Sequence, residues 1–187
     1  MLDVLDIDLA GCRDRALLLL GFAGALRRSE LVGLDVADLT EGTDGLRVRL
    51  QRSKTDQEGV GRTVGIPYGS NPVTCPVRAW LAWLEVSGIT EGAAFRPVDR
   101  HGRIGTTRLS GQAVALVLKR HAARAGLDPG EMAGHSLRAG LATSAAAAGV
   151  PERVIAEQTG HKGTAMLRRY IREGSLFREN AASAVGL

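Results

Sequence analysis

Aromatic side chains are scarce, with Phe, Trp and Tyr together at 4% of 187 residues. A core made from this chain must therefore be mostly Leu, Val and Ala, a set that favours helices. Cysteine is scarcer still: Cys12 and Cys75 are the only two. Without framework spacing they argue against a disulfide scaffold and for reduced thiols in a cytoplasmic protein. The longest apolar run, Ala16 to Leu26, is too short to span a bilayer. The opening residues, Met1-Leu2-Asp3-Val4-Leu5-Asp6, are acidic where a secretory leader is basic. No internal repeat, low-complexity tract or Pro-, Gly- or Ser-rich linker divides the chain. The expectation is one domain over residues 1–173 and a tail over 174–187.

What is present suits a folded domain: hydrophobic residues are 44% and charged residues 24%, enough for a sizeable core. The net charge is +4 and the isoelectric point about 9.6. That is compatible with a polyanionic partner without identifying one.

Arg13 to Gly24 reads as a helix that is apolar nearly all round, with Ala16, Leu17, Leu18, Leu19, Leu20 and Phe22, and so central to the core. Ser29 is the expected cap of the next helix. Glu30 lies in its first turn, where a carboxylate suits the dipole, and Leu31 and Leu34 face inward. From Leu46 the period changes to two. Leu46, Val48 and Leu50 alternate with Arg47, Arg49 and Gln51, and Arg62 to Pro67 reads as the partner strand, with Val64 and Ile66 apolar. A short strand near Val36 to Thr40 would make three. Lys54 lies where the hairpin turns. Arg47 and Arg49 read as a solvated face, or one that could touch DNA phosphates.

Pro76 opens a helix with Val77, Trp80, Leu81 and Leu84 as its stripe, and Trp80 and Trp83 read as core. Phe95 to Gly105 reads as a loop, with His101 in a turn. Ser110 caps a helix with Val114, Val117, Leu118 and Ala122 inward, closing at Gly126. His121, among Lys119, Arg120 and Arg124, reads as an ordinary exposed histidine. Ser136 to Ala148 is an alanine-rich helix ended by Gly149. Pro151 starts the next, which carries Val154 and Ile155 and ends at Gly160. Thr164 caps a last helix with Met166, Leu167 and Tyr170 on one face. The expected class is mainly α with a small antiparallel sheet, α+β.

Several short motifs stand in order along this frame: Arg27-Arg28-Ser29-Glu30-Leu31, Arg52-Ser53-Lys54-Thr55, His135-Ser136-Leu137-Arg138, Thr159-Gly160-His161 and Arg168-Arg169-Tyr170. Each is weak alone. Arg27 by itself reads as a surface or salt-bridging arginine, Lys54 as a solvated turn residue, Tyr170 as a half-buried tyrosine. Taken together, in this order and at this spacing, they resemble the active site of the tyrosine recombinases, the phage-integrase family. The resemblance covers nearly the whole chain.

It implies the DNA breaking-rejoining fold and a catalytic domain over residues 1–173. Arg27 and Arg138 match the two phosphate-clamping arginines, since guanidiniums bind phosphate bidentately and keep their charge. Tyr170 matches the nucleophile, which forms a 3′-phosphotyrosyl link and frees a 5′-hydroxyl. Lys54 matches the residue that protonates the leaving oxygen, His135 the acid–base histidine near the nucleophile, and His161 the histidine that hydrogen-bonds the phosphate. Because the bond energy is kept in the phosphotyrosine, the resemblance implies no ATP and no cofactor. No metal-ligand spacing is present among the four histidines.

The implied partners are double-stranded DNA and further copies of the protein in a synaptic tetramer, with no membrane and no small-molecule substrate. The implied place is the cytoplasm, at the nucleoid. The apolar residues of the tail read as docking on its own domain or, as the resemblance implies, on a neighbouring protomer so as to couple active sites, with Gly174 as a hinge. One departure from the pattern is the start of the chain, about two dozen residues ahead of Arg27. That leaves no room for the DNA-clamping helical domain usual in the family, so the polypeptide reads as an excised catalytic domain or a truncated gene product. Two other readings are a non-catalytic DNA-binding relic, against which the full residue set argues, and a type IB topoisomerase. The His-x-x-Arg and Gly-His wording and the short tail look more like integrases.

Overall fold

The computed structural model describes residues 1–51, 61–160 and 164–175, without the side chains of 164–166 and 173–175. Asp8 starts the first helix, α1 (Leu9–Ala23), by accepting from the Gly11 N–H at 2.7 Å. This is earlier than the Arg13 expected, because an acidic cap serves where the apolar pattern has not yet begun. Ala16, Leu17 and Leu20 are fully buried and Leu18 and Leu19 nearly so, so α1 is the central rod. Phe22, expected inside, is partly exposed and packs over Gly140.

Helix α2 (Arg28–Gly33) follows, with Arg27 and not Ser29 at its N-cap. The Glu30 carboxylate reaches back to the Arg27 N–H at 2.8 Å, half of a capping box, and so sets where the helix begins. A short 3₁₀ turn (Val36–Asp38) takes the place of the first part of the expected strand. The three strands are β1 (Leu39–Gly42), β2 (Gly45–Leu50) and β3 (Arg62–Pro67), antiparallel in the order β1-β2-β3. Register pairs Leu46 with Ile66, Val48 with Val64 and Leu50 with Arg62. The first two pairs and Leu50 lie in the core, while Arg47 and Arg49 point outward. Arg62 thus sits on the core-facing side of its strand, in line with Val64 and Ile66.

Helix α3 (Pro76–Ser87) buries Trp80 and Trp83 against α1. Trp80 meets Phe95 edge-on at 5.9 Å, and Trp83 Nε1 donates to the Ala94 carbonyl at 2.9 Å. The loop from Phe95 is therefore anchored in the core at its first residue. Helix α4 (Gly111–Arg124) is capped by Ser110 as expected.

His121 on α4 is a correction: it is fully buried. It lies three and four residues beyond Leu118 and Val117, on the same inward stripe. Its Nε2 lies 2.8 Å from Asp14 Oδ2 on α1. Asp14, also fully buried, further accepts from Arg13 at 2.6 Å and from Arg120 at 2.6 Å. Pairing is what makes burial of these charges tolerable.

Helices α5 (Ser136–Ala147), α6 (Glu152–Thr159) and α7 (Thr164–Ser175) complete the fold. The alanines of α5 let α7 pack closely along it. Ala142, Ala146, Ile155 and Leu167 form a second small core, on which Tyr170 and Ile171 rest. Helix α7 runs through Gly174, the residue expected to act as a hinge. Tail residues 176–187 lie outside the described residues.

Candidate active site

The site is built where α1 turns into α2. Ala25, between them, has φ 49°, a left-handed conformation that costs a non-glycine residue about 1 kcal/mol. The turn aims the Ala25 carbonyl at α5, where Arg138 Nη1 donates to it at 3.2 Å. Arg138 is 3% exposed, and its Nη2 is buried with no hydrogen-bond partner among the described residues. Burial first, and then the charges of Arg27 and Arg62, pull its pKa down to about 10, against the favourable pull of Glu30 and Tyr170. It therefore stays cationic at neutral pH.

Arg27 is fixed by Glu30. Its Nη1 donates to Oε1 of that carboxylate, whose side chain is 2% exposed. The other oxygen of Glu30 faces Arg62 Nη2 at 3.7 Å, an ion pair too long for a hydrogen bond. Arg62 Nη1 donates to the Gln158 carbonyl at 3.1 Å, near the end of α6. Gln158 in turn donates to the Ala23 and Gly65 carbonyls at 2.8 and 3.3 Å, tying α6 to α1 and β3. The Arg62 guanidinium lies over Gly160, within 3.0–3.1 Å of where a Cβ would stand. Gly160 has φ 63°, so both its backbone and this contact favour glycine. Burial, then Arg27, depress the pKa of Arg62, while Glu30 supports its charge.

Of the residues expected from the sequence, the structure brings Arg27, Arg138 and Tyr170 into one region. Tyr170 is half-buried on α7, near enough to act on the charge of Arg138. His135 stands at the N-cap of α5 and is exposed, one turn ahead of Arg138. Lys54, in the segment joining β2 to β3, and His161, after Gly160, lie outside the described residues. Three residues of this region were not singled out for it. Glu30 reads from the sequence as a dipole partner, and Gln158 gives no signal there. Arg62 gives a real one, a charge at a core-facing position of an alternating strand.

Three guanidiniums against the single carboxylate of Glu30 leave this region with a net charge of two positive. Such an arrangement can hold a phosphate and stabilise added charge on its oxygens. Among the described residues no cluster of His, Cys, Asp and Glu is placed to hold a metal ion, and no helix is long and apolar enough to cross a membrane.

Comparison with known proteins gives the family and the fold. Residues 1–175 match the model of the phage integrase family. The chain is 46% identical over 173 residues to an integrase/recombinase XerD homolog of Selenomonas ruminantium, covering 92% of this chain and 51% of that protein. It is 30% identical over 166 residues to the tyrosine recombinase XerC of Syntrophus aciditrophicus, covering 87% and 50%. The chain thus spans about half the length of the curated relatives it matches. Among solved structures, the fold is shared with the XerH site-specific recombinase bound to its difH substrate before cleavage. The TM-score is 0.66 at 19% identity, over 90% of this chain and 45% of that one. The XerA recombinase gives a TM-score of 0.65 at 19% identity, covering 87% and 52%.

Proposed function

Since the chain belongs to the phage integrase family, we propose that it is the catalytic domain of a site-specific DNA recombinase. The observation that carries the reading is the buried Nη2 of Arg138, which has no acceptor, set beside Arg27 and Tyr170. A buried cationic donor without a partner is costly, and a DNA phosphate would supply the missing acceptor.

The reaction follows from the groups. Tyr170 Oη attacks the scissile phosphorus, forming a P–O bond to the tyrosine as the bond to the 5′-oxygen breaks. A free tyrosine hydroxyl, with a pKa near ~10, is a weak nucleophile at neutral pH. It becomes competent when held in line with a phosphate whose charge is already neutralised. Arg27 and Arg138 carry that neutralisation, and His161 donates a further hydrogen bond to the phosphate. His135 accepts the tyrosine proton, and Lys54 gives one to the departing 5′-oxygen. The product is a 3′-phosphotyrosine and a free 5′-hydroxyl. Attack by a new 5′-hydroxyl reverses the step and rejoins the strand, so no nucleotide cofactor is consumed.

Residues 1–173 form this domain in the proposal, and 174–187 form the segment that contacts a neighbouring copy in a synaptic tetramer on double-stranded DNA. The names of the relatives, integrase and tyrosine recombinase, support this reading over topoisomerase activity. The test is recovery of covalent protein–DNA adducts from genomic DNA. Adducts concentrated at one sequence support a recombinase; adducts without sequence preference support relaxation; none at all overturns strand cleavage.

A further inference from the structure

The two-arginine clamp leaves one group unexplained. Arg62 is mostly covered, with its side chain 23% exposed, and its Nη2 is buried without a hydrogen-bond partner, as that of Arg138 is. Arg27, by contrast, donates to Glu30, so much of its charge is already balanced. Glu30 cannot balance all three: Arg62 reaches it only at 3.7 Å, too far for a hydrogen bond, and Arg138 has no ion pair among the described residues. Both guanidiniums are close enough to Glu30, and to each other, to feel their charges, and an anion that reached both Nη2 atoms would satisfy both.

We propose that Arg62 is a third phosphate-binding guanidinium, a catalytic residue that meets the scissile phosphate through Nη2. This rests on the recombinase reading above. The position suits the role. Arg62 opens β3, directly after the segment that bears Lys54, and lies over Gly160, directly before His161. Its other nitrogen is anchored to the Gln158 carbonyl, so the guanidinium is held in place before substrate arrives. A diester carries one negative charge and its transition state more on the non-bridging oxygens. Two guanidiniums, Arg138 and the loosely paired Arg62, match that gain better than one.

The test uses a duplex bearing the chain's mapped target sequence, made once with a natural scissile diester and once with a methylphosphonate, which lacks the phosphate charge. Single-turnover cleavage is compared for the unsubstituted chain, Arg62→Ala and Arg62→Lys. A merely structural arginine would slow both substrates alike. If Arg62 meets the phosphate, Arg62→Ala slows the diester by about 100-fold but the methylphosphonate by only about 5-fold, with Arg62→Lys intermediate on the diester. The ratio of the two rates is read within one preparation, so a smaller folded fraction cancels from it. Equal loss on both substrates, or no loss on the diester, overturns the assignment of Arg62 and leaves the recombinase reading standing. Failure of the unsubstituted chain to cleave either duplex overturns the recombinase reading itself.

Discussion

Replacing Arg138 by Met should make the protein more stable and inactive together. The guanidinium is 3% exposed, and burial is the first reason its pKa falls from the usual guanidinium range to about 10. The folded-state value lies below the unfolded one. Below pH ~10 the group is charged in both states, and the folded state bears the whole cost; the cost fades as pH rises above about 10 toward the ordinary guanidinium value. A fall of that size corresponds to about 3 kcal/mol at neutral pH. Losing the bond from Nη1 to the Ala25 carbonyl returns about 1.5 kcal/mol of that. Methionine is adaptable enough to fill most of the space. The net gain is about 1.5 kcal/mol, or a rise in Tm of about 3–6 °C for a chain of this length. Thermal melting at pH 7 in low salt reads it directly. Inorganic phosphate should raise the Tm of the unsubstituted chain more than that of Arg138→Met, while cleavage by the variant falls by at least about 100-fold. A Tm lowered by several degrees would show that Arg138 holds the fold together, and would refute the argument that its charge is kept at a cost for an anion.

Other consequences can be checked separately. Asp14→Ala leaves Arg13 and His121 buried without their carboxylate, and should lower stability by about 3–5 kcal/mol in denaturant titration. Gly160→Ala places a methyl group within 3.0 Å of the Arg62 guanidinium at φ 63°; it should cost about 1–2 kcal/mol and slow cleavage by displacing Arg62. A substrate with sulfur at the bridging 5′ position should rescue Lys54→Ala, because a thiolate leaves without a proton, and should not rescue Arg138→Ala. Equal rescue of both, or of neither, would count against the role given to Lys54.

The frame of the fold was legible because period and caps agree with it. The alternation at Leu46, Val48 and Leu50, the stripe on α3 and the Ser110 cap all appear where the pattern places them. The misreadings share a physical cause. His121 lies in a basic stretch, and its neighbours in sequence suggest solvent; its helical stripe and the distant Asp14 decide otherwise. Burial of Arg13 and Asp14 likewise has no local signal; each supplies the counter-charge the other needs inside.

The ordered motif set pointed to Arg27, Arg138 and Tyr170, which share one region. That Glu30 would face both Arg27 and Arg62 depends on where the fold brings the start of β3 relative to α2, a tertiary fact with no local signature. Arg62 alone carried a hint, as a charge on the inward face of a strand. Nothing local to residues 23–27 reports that the turn at Ala25 would present its carbonyl to α5.

The central claim is that Tyr170 attacks a DNA phosphate. Incubating the protein with its mapped target duplex, digesting both protein and DNA, and fragmenting the linked peptide in a mass spectrometer tests it most directly. The account predicts a nucleotide 3′-phosphate on the peptide carrying Arg169-Tyr170-Ile171, localised to the tyrosine, and no such peptide from Tyr170→Phe. A nucleotide attached to another residue, or an adduct that persists in Tyr170→Phe, would contradict it.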